Sequence, residues 1–362
     1  IHDRSEPALG ELPLLKVPEV WRSRLSNGIK LYGIENNELP LVQFSMRIDG
    51  GQALDSKGKE GTALILGAML KEGTKTKTPA ELEAAIDLLG SSISFSAGLE
   101  GMYVSGNTLE RNLDKTVALV TEMLTEPRWD EKSFEIVKNR RLNIIKQRKT
   151  SAQSVAFNAL SKQLYGKDHP ASTPLGGTEE SVESITMNDI KSYFKENISP
   201  QVSHFHVAGK MTQSTIEESL QQLSKNWIGS NVEIPEIKRS KPPTRAKVYF
   251  IDIPGAKQSA ITLGSLSIPG GNPELYKYSV VNNRLGGGME ARLMRTLRLE
   301  KGYTYGAGSF FRENSYQTPF YAYSQVRSNV TLESLEIFKN IINGYAKSVS
   351  YTHLTLPTIL LV

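Results

Sequence analysis

From Val42 the chain reads VQFSMRIDGG, apolar and polar residues in turn, the pattern of a strand with one buried face that stops at paired glycines. The stretch after it behaves differently. Residues 60–74, EGTALILGAMLKEGT, carry no charge from Thr62 to Leu70 and are apolar on every side, which predicts a fully buried helix framed by Gly61 and Gly73. KTPAELEAAIDLLG follows with the marks of a helix start: Thr78 as N-cap, Pro79 at the first helical position, Glu81 closing a capping box, and Gly90 as stop. Two strands, SISFSAGL and GMYVSGNT, lead into LERNLDKTVALVTEML, where Leu113, Val117, Val120 and Leu124 make one apolar stripe. A long helical stretch from about Asp130 to Leu164, a helix over 186–197, a strand SHFHVAG and a helix ending near Trp227 complete this part.

The same order then returns. SAITLGSLSI predicts a strand, PELYKYSVVNNRL and MEARLMRTLRLEKG two helices, YTYGAGSFF and FYAYSQVRS two strands, and TLESLEIFKNIINGYAK a long helix. Val42 corresponds to Ile261, Ser92 to Tyr303 and Leu109 to Thr331, an internal duplication in element order and not in residue identity. The expected fold class is therefore α+β: two similar units of helices packed on a mostly antiparallel sheet, the second lacking the tail of the first. The proline-rich and basic IPEIKRSKPPTRAK between the copies reads as a linker. The expected organisation is a linker-like segment over 1–17, a first domain over 18–231, a linker over 232–247 and a second domain over 248–348. Residues 349–362 read as the in-frame translation of a sequencing-library adapter.

Composition removes several function classes. There is no cysteine, so thiol catalysis, disulfides and cysteine zinc sites are excluded. The net charge of +5 is the balance of 43 basic and 38 acidic residues spread along the chain, with no basic run that would make a nucleic-acid tail. No apolar run approaches the ~18 residues of a membrane span.

The LSNGIKLY start, ELPLVQFSMRIDGG, the GTALILGAMLKEGT frame and LGGGMEARLMRTLRLEKGYTYGAGS together resemble the pitrilysin/insulinase family of zinc metallopeptidases, from about Pro18 to Lys347. The resemblance implies a His-x-x-Glu-His helix between the two glycines in active members, with both histidines on zinc and the glutamate as base. Here those three positions fall on Leu64, Gly67 and Ala68, and the stretch Asn143 to Lys146, where the third ligand belongs, holds no carboxylate. The chain itself is therefore expected to bind no metal and to be inactive alone, with zinc in a partner unit. The family's second domain supplies an arginine and a tyrosine, which the resemblance places on Arg298 and Tyr305, with Gly286, Gly287 and Gly288 as a substrate-contacting loop. For Arg298 the bland alternative is a pair with Glu300 or Glu290, for Tyr305 a place half in the core, and for the glycines a helix break. Among the five histidines, His204 and His206 share a strand face but have no third ligand nearby in sequence, His169 reads as a loop residue, and His2 and His353 lie in the terminal segments.

The resemblance thus implies a non-catalytic subunit, or the C-terminal half of a tandem chain, that completes a peptide-degrading chamber with a zinc-bearing unit in cis or in trans; the polar start IHDRSEPALGELP favours the tandem form. The alternatives are a structural protein of the same fold without a part in proteolysis, and an autonomous zinc protease. Peptides are the implied substrates, and the bacterial periplasm or cell envelope the implied compartment, with the cytoplasm as the other.

Overall fold

The computed structural model describes residues 16–347 together with Gly10 and Leu14. The expected adapter-derived segment 349–362, most of the 1–17 segment, and His2 and His353 lie outside the described residues.

In the first unit β1 (Trp21–Arg24), β2 (Lys30–Glu35) and β3 (Leu41–Asp49) are followed by α1 (Thr62–Met69), α2 (Pro79–Leu88), β4 (Ser92–Ala97), β5 (Gly101–Leu109) and α3 (Leu113–Thr125). Then come α4 (Glu131–Lys149), α5 (Ala152–Tyr165), α6 (Glu179–Ser184), α7 (Met187–Asn197), β6 (Ser203–Gly209), α8 (Gln213–Ser219) and α9 (Gln221–Asn226). The sheet order is β1-β2-β6-β3-β5-β4, antiparallel except for the parallel β2–β6 pair. The alternation read from β3 holds: Val42, Phe44, Met46 and Ile48 are buried under the helices, and the residues between them face outward.

Helix α1 is the centre of this core. Ala63, Ile65, Leu66, Met69 and the capping Leu70 are all fully buried, against β4, α4 and α7. Each large apolar side chain so buried contributes roughly 1.5–3 kcal/mol, so the helix needs no amphipathic face to be held in place. The capping box at Thr78 forms as read, with Glu81 accepting from the Thr78 amide at 2.8 Å.

The helical stretch expected over about 130–164 is divided between α4 and α5. Ser151 accepts from the Ser154 amide and starts α5 afresh, just after the C-cap Thr150 of α4. This break redirects the chain, because α5 packs on the sheet of the second unit.

The second unit holds β7 (Gln258–Pro269), α10 (Leu275–Gly286), the short α11 (Arg292–Met294) running into a π-helical turn (Arg295–Glu300), β8 (Thr304–Phe311), β9 (Gln317–Arg327) and α12 (Thr331–Lys347). Its sheet runs β7-β9-β8, antiparallel, the order that β3-β5-β4 has in the first sheet. Ala322 and Val326 of β9 pack with Phe338 of α12, while Tyr321 faces α5, its ring 5.7 Å from Phe157 and edge-on to it. Gly264 permits the approach of α5, since a Cβ there would sit 2.8 Å from Leu160 Cδ2. Leu164, Tyr165, Leu266, Tyr316 and Tyr321 form a separate buried cluster that joins the two units.

The expected linker has no regular structure but is docked. His169 Nε2 lies 2.9 Å from the Lys238 carbonyl, and Ser240 and Gln317 exchange two hydrogen bonds of 3.2 Å. Among the described residues β7 pairs on one side only, and Val248 and Phe250 before it are almost fully exposed.

Candidate functional site

The glycine frame around α1 is conformational. Gly61 has φ +113° and Gly73 φ +99°, both in the region that side chains avoid. A Cβ on Gly61 would meet the Gly176 carbonyl oxygen at 2.9 Å. Inside the frame, Leu64 and Ala68 are half-buried against the apolar core, and Gly67 faces Met102 and Phe95 across ordinary van der Waals distances. None of the three carries a donor for a metal. Stretch 143–146 of α4 carries no carboxylate or imidazole, and among the described residues no three His, Asp or Glu side chains gather to hold an ion. Zinc needs about three protein ligands, so these residues do not fit it.

Two charged groups around α1 were not legible as site residues. Asp55 accepts from the Gly61 amide at 2.6 Å and from the Ala63 amide at 2.9 Å, closing the N-terminus of α1. Burial pushes its carboxyl up to about 7 despite these bonds. Arg141 of α4 is buried and has no carboxylate partner among the described residues: its Nε donates to the Gly176 carbonyl at 2.7 Å and its Nη2 to that of Leu175 at 2.5 Å. Burial, with Arg148 nearby, draws the guanidinium down to about 10. Asp55 stands in a charged turn, DSKGKE, where nothing sets it apart from its neighbours, and Arg141 is one of several cations on α4.

The candidate second-domain residues sit at the other end of the chain. Arg298 lies in the π-helical turn, which Gly302 ends at φ +63°. Its guanidinium touches Met289 Sδ at 3.7 Å, and the ion pair to Glu300 is made by Arg295 at 3.3 Å instead. Tyr305, one residue into β8, is 87% exposed, so its hydroxyl faces solvent. Of the three glycines, Gly286 belongs to α10 and lets that helix touch β8, since a Cβ there would lie 2.3 Å from the Ser309 amide. The buried Asn282 and Ser309 pair reinforces the contact, with Ser309 Oγ donating to Asn282 Oδ1 at 2.6 Å. A Cβ on Gly288 would meet only Asn283 Oδ1, at 4.0 Å.

His204 lies 3.2 Å from Asp49, and His206 stacks on Tyr32 with ring centroids 5.0 Å apart. His169 accepts from the Ala171 amide through Nδ1 at 3.0 Å, which leaves Nε2 to donate to the linker carbonyl of Lys238. Both its nitrogens are thereby used in holding loops.

Two family models match the chain: one described as insulinase (peptidase family M16) over residues 34–179, the other as peptidase M16 inactive domain over residues 184–355. The two matches meet within the first unit, since β6 lies beyond the junction and in the middle of the first sheet. A Bacillus subtilis protein named uncharacterized zinc protease YmxG is 25% identical over 80% of this chain and 70% of its own length. A Helicobacter pylori protein named non-peptidase homolog YmxG is 24% identical over 86% of this chain and 71% of its own. Among solved structures, a peptidase M16 inactive domain from Pseudomonas fluorescens superposes with a TM-score of 0.86 over 92% of this chain and 80% of that one, at 24% identity, a likeness of fold. No helix among the described residues is long and apolar enough to cross a membrane.

Proposed function

The chain belongs to the insulinase (M16) peptidase family, and from that premise we propose that it serves as a non-catalytic unit which completes the chamber of a zinc-bearing family member. The observation that carries this reading is the state of α1. Its glycine frame, its Asp55 closure and the burial of Ala63, Ile65, Leu66 and Met69 are those of a maintained structural element, yet the ligand and base positions hold Leu64, Gly67 and Ala68. A helix kept this well without chemistry points to work done elsewhere on the chain.

In this reading Arg298 and Tyr305 are substrate-binding groups, lent to the partner's site. A guanidinium and a phenol hydroxyl there donate to the peptide carbonyl oxygen as charge develops on it. Support comes from the exposure of Tyr305 and from Arg298 holding no carboxylate among the described residues. Gly288, unhindered, is the member of the glycine run suited to approach by a substrate backbone, and Gly286 is used in packing. Peptides are the proposed substrates, zinc is assigned to the partner, and the bacterial periplasm or envelope is the proposed compartment, on the family resemblance alone. The shared order of β3-β5-β4 and β7-β9-β8 supports the two sheets being copies of one unit.

The test is assembly. Mixed with a zinc-bearing family member from the same genome, this chain is expected to sediment as a one-to-one complex at micromolar concentration. Two separate species at all concentrations would count against the reading.

A further inference from the structure

Between the two units lies a cavity of about 570 Å³, within the range of roughly 300–1,000 Å³ typical of ligand sites. Helix α5 and the 171–175 loop form one side, and the 312–316 turn and β9 the other. Its charge is one-sided: Arg148 and Arg312 line it, and no aspartate or glutamate does. Arg148 has no ion pair among the described residues and adds to the positive potential at the buried Arg141. Arg312 lies over the ring of Tyr321 at 5.8 Å and likewise has no acidic partner. A second cavity of about 400 Å³ adjoins the first at Arg148, Asn158 and Pro174; its charge is mixed, with Arg141, Lys149 and Lys162 on its wall beside Glu179 and Glu180, and Glu179 is paired with Lys146 and Lys149.

The walls between the arginines are aromatic. Phe157, Tyr316 and Tyr321 line the cavity with Tyr165, and burial pushes the hydroxyls of these three tyrosines up, so that they stay neutral, with the Tyr165 hydroxyl engaged with those of Tyr316 and Tyr321. Such a space suits a body with an apolar or aromatic side chain and an anionic end. The anion is better a carboxylate than a phosphate. Arginines take either anion, but a loop-type phosphate cradle adds free backbone amides, and those of the neighbouring glycine loop are used: Gly176 donates to Gln52 Oε1 at 2.6 Å and Gly177 to the Pro174 carbonyl at 2.9 Å. Two guanidiniums alone satisfy a carboxylate.

We propose that this cavity between the units seats the C-terminal residue of a peptide, its carboxylate between Arg148 and Arg312 and its side chain on the tyrosines. The proposal deepens the peptide-handling reading above and rests on it only for the choice of a peptide. It places on this chain a selection for free peptide ends, separate from Arg298 and Tyr305.

The test uses the full chain alone, so that it does not depend on a partner. Binding of a hexapeptide ending in phenylalanine is measured by calorimetry in three forms: free acid, C-terminal amide, and N-acetylated acid. The acid and its N-acetyl form are expected to bind alike, and the amide at least tenfold more weakly. Arg148→Gln and Arg312→Gln, both at exposed side chains whose removal leaves the core intact, are each expected to weaken the acid about tenfold and leave the amide unchanged. Equal binding of acid and amide, no binding of either at millimolar peptide, or unaltered acid binding in both variants overturns the proposal. So does displacement of the acid by equimolar inorganic phosphate, which would make the cavity a general anion site. All of these outcomes leave the assembly test untouched, so the two readings fail separately.

Discussion

Replacing Gly61 by alanine should cost far more than an ordinary glycine substitution. At φ +113° and ψ −9° an L-residue is strained by roughly 1–3 kcal/mol. The new Cβ would also stand 2.9 Å from the Gly176 carbonyl oxygen and 3.1 Å from Val182 Cγ2, and relieving such overpacking costs roughly another 1–3 kcal/mol. The sum is about 4 kcal/mol. Gly90→Ala is the first control, with φ +59° and nothing within 4 Å, where only the left-handed penalty of roughly 1–2 kcal/mol applies. Gly98→Ala is the second: its φ is not positive and its Cβ would make ordinary contacts at 3.7 Å, so a change within about 0.5 kcal/mol is expected. All three tryptophans, Trp21, Trp129 and Trp227, lie in the first unit, so urea unfolding followed by their emission reports on the region around α1. The expected order of loss is Gly61, then Gly90, then Gly98. A Gly61 variant that loses no more than the Gly90 variant would refute the claim that the frame is held by backbone geometry.

Other expectations concern charge and catalysis. The folded state raises the Asp55 carboxyl to about 7, so its contribution to stability is greatest below the ordinary aspartate range and is lost as pH rises from about 4 to 7. Asp55→Asn should remove that part of the slope while leaving one α1 amide unpaired, and equal pH profiles for the two proteins would contradict the assignment. Gly176→Ala, at φ +79°, would add to the left-handed penalty a Cβ 2.2 Å from Arg141 Nη2, so a loss of roughly 3 kcal/mol or more in urea melts is expected, and a loss no larger than that of Gly90→Ala would show that the guanidinium is free to move. In a reconstituted complex, Tyr305→Phe should lower kcat by ~10²–10³ without weakening assembly, the usual effect of deleting one oxyanion donor. Arg298→Lys should also be impaired, because the planar fork is lost. Wild-type turnover in both would favour the structural alternative.

The elements that the sequence announced are those whose signals are local. The period-2 pattern of β3, the capping box of α2 and the stripe of α3 each lie within a few residues, and each forms as read. The restart at Ser151 was also local, but a serine after KT in a basic helix reads as an exposed position until its bond to Ser154 is seen. The seat of α5 on the second sheet was not legible, since it depends on Gly264 about a hundred residues away in sequence leaving room for Leu160. Nor was the π-helical turn at Arg298, because Leu293 of α11 and Leu297 of the turn are spaced as in an α-helix. The vacant positions Leu64, Gly67 and Ala68 were legible only through the family's spacing. Arg148 and Arg312 became neighbours of one cavity only through the packing of the two units.

The central claim is that this chain works through a partner and not by itself. The most direct measurement is peptide hydrolysis by a zinc-bearing family member of the same genome, titrated with this chain. The expected result is no hydrolysis by this chain alone in zinc-containing buffer, and a rise in the partner's turnover to a plateau at one equivalent. Turnover unchanged by the chain, or hydrolysis by the purified chain alone, would contradict it.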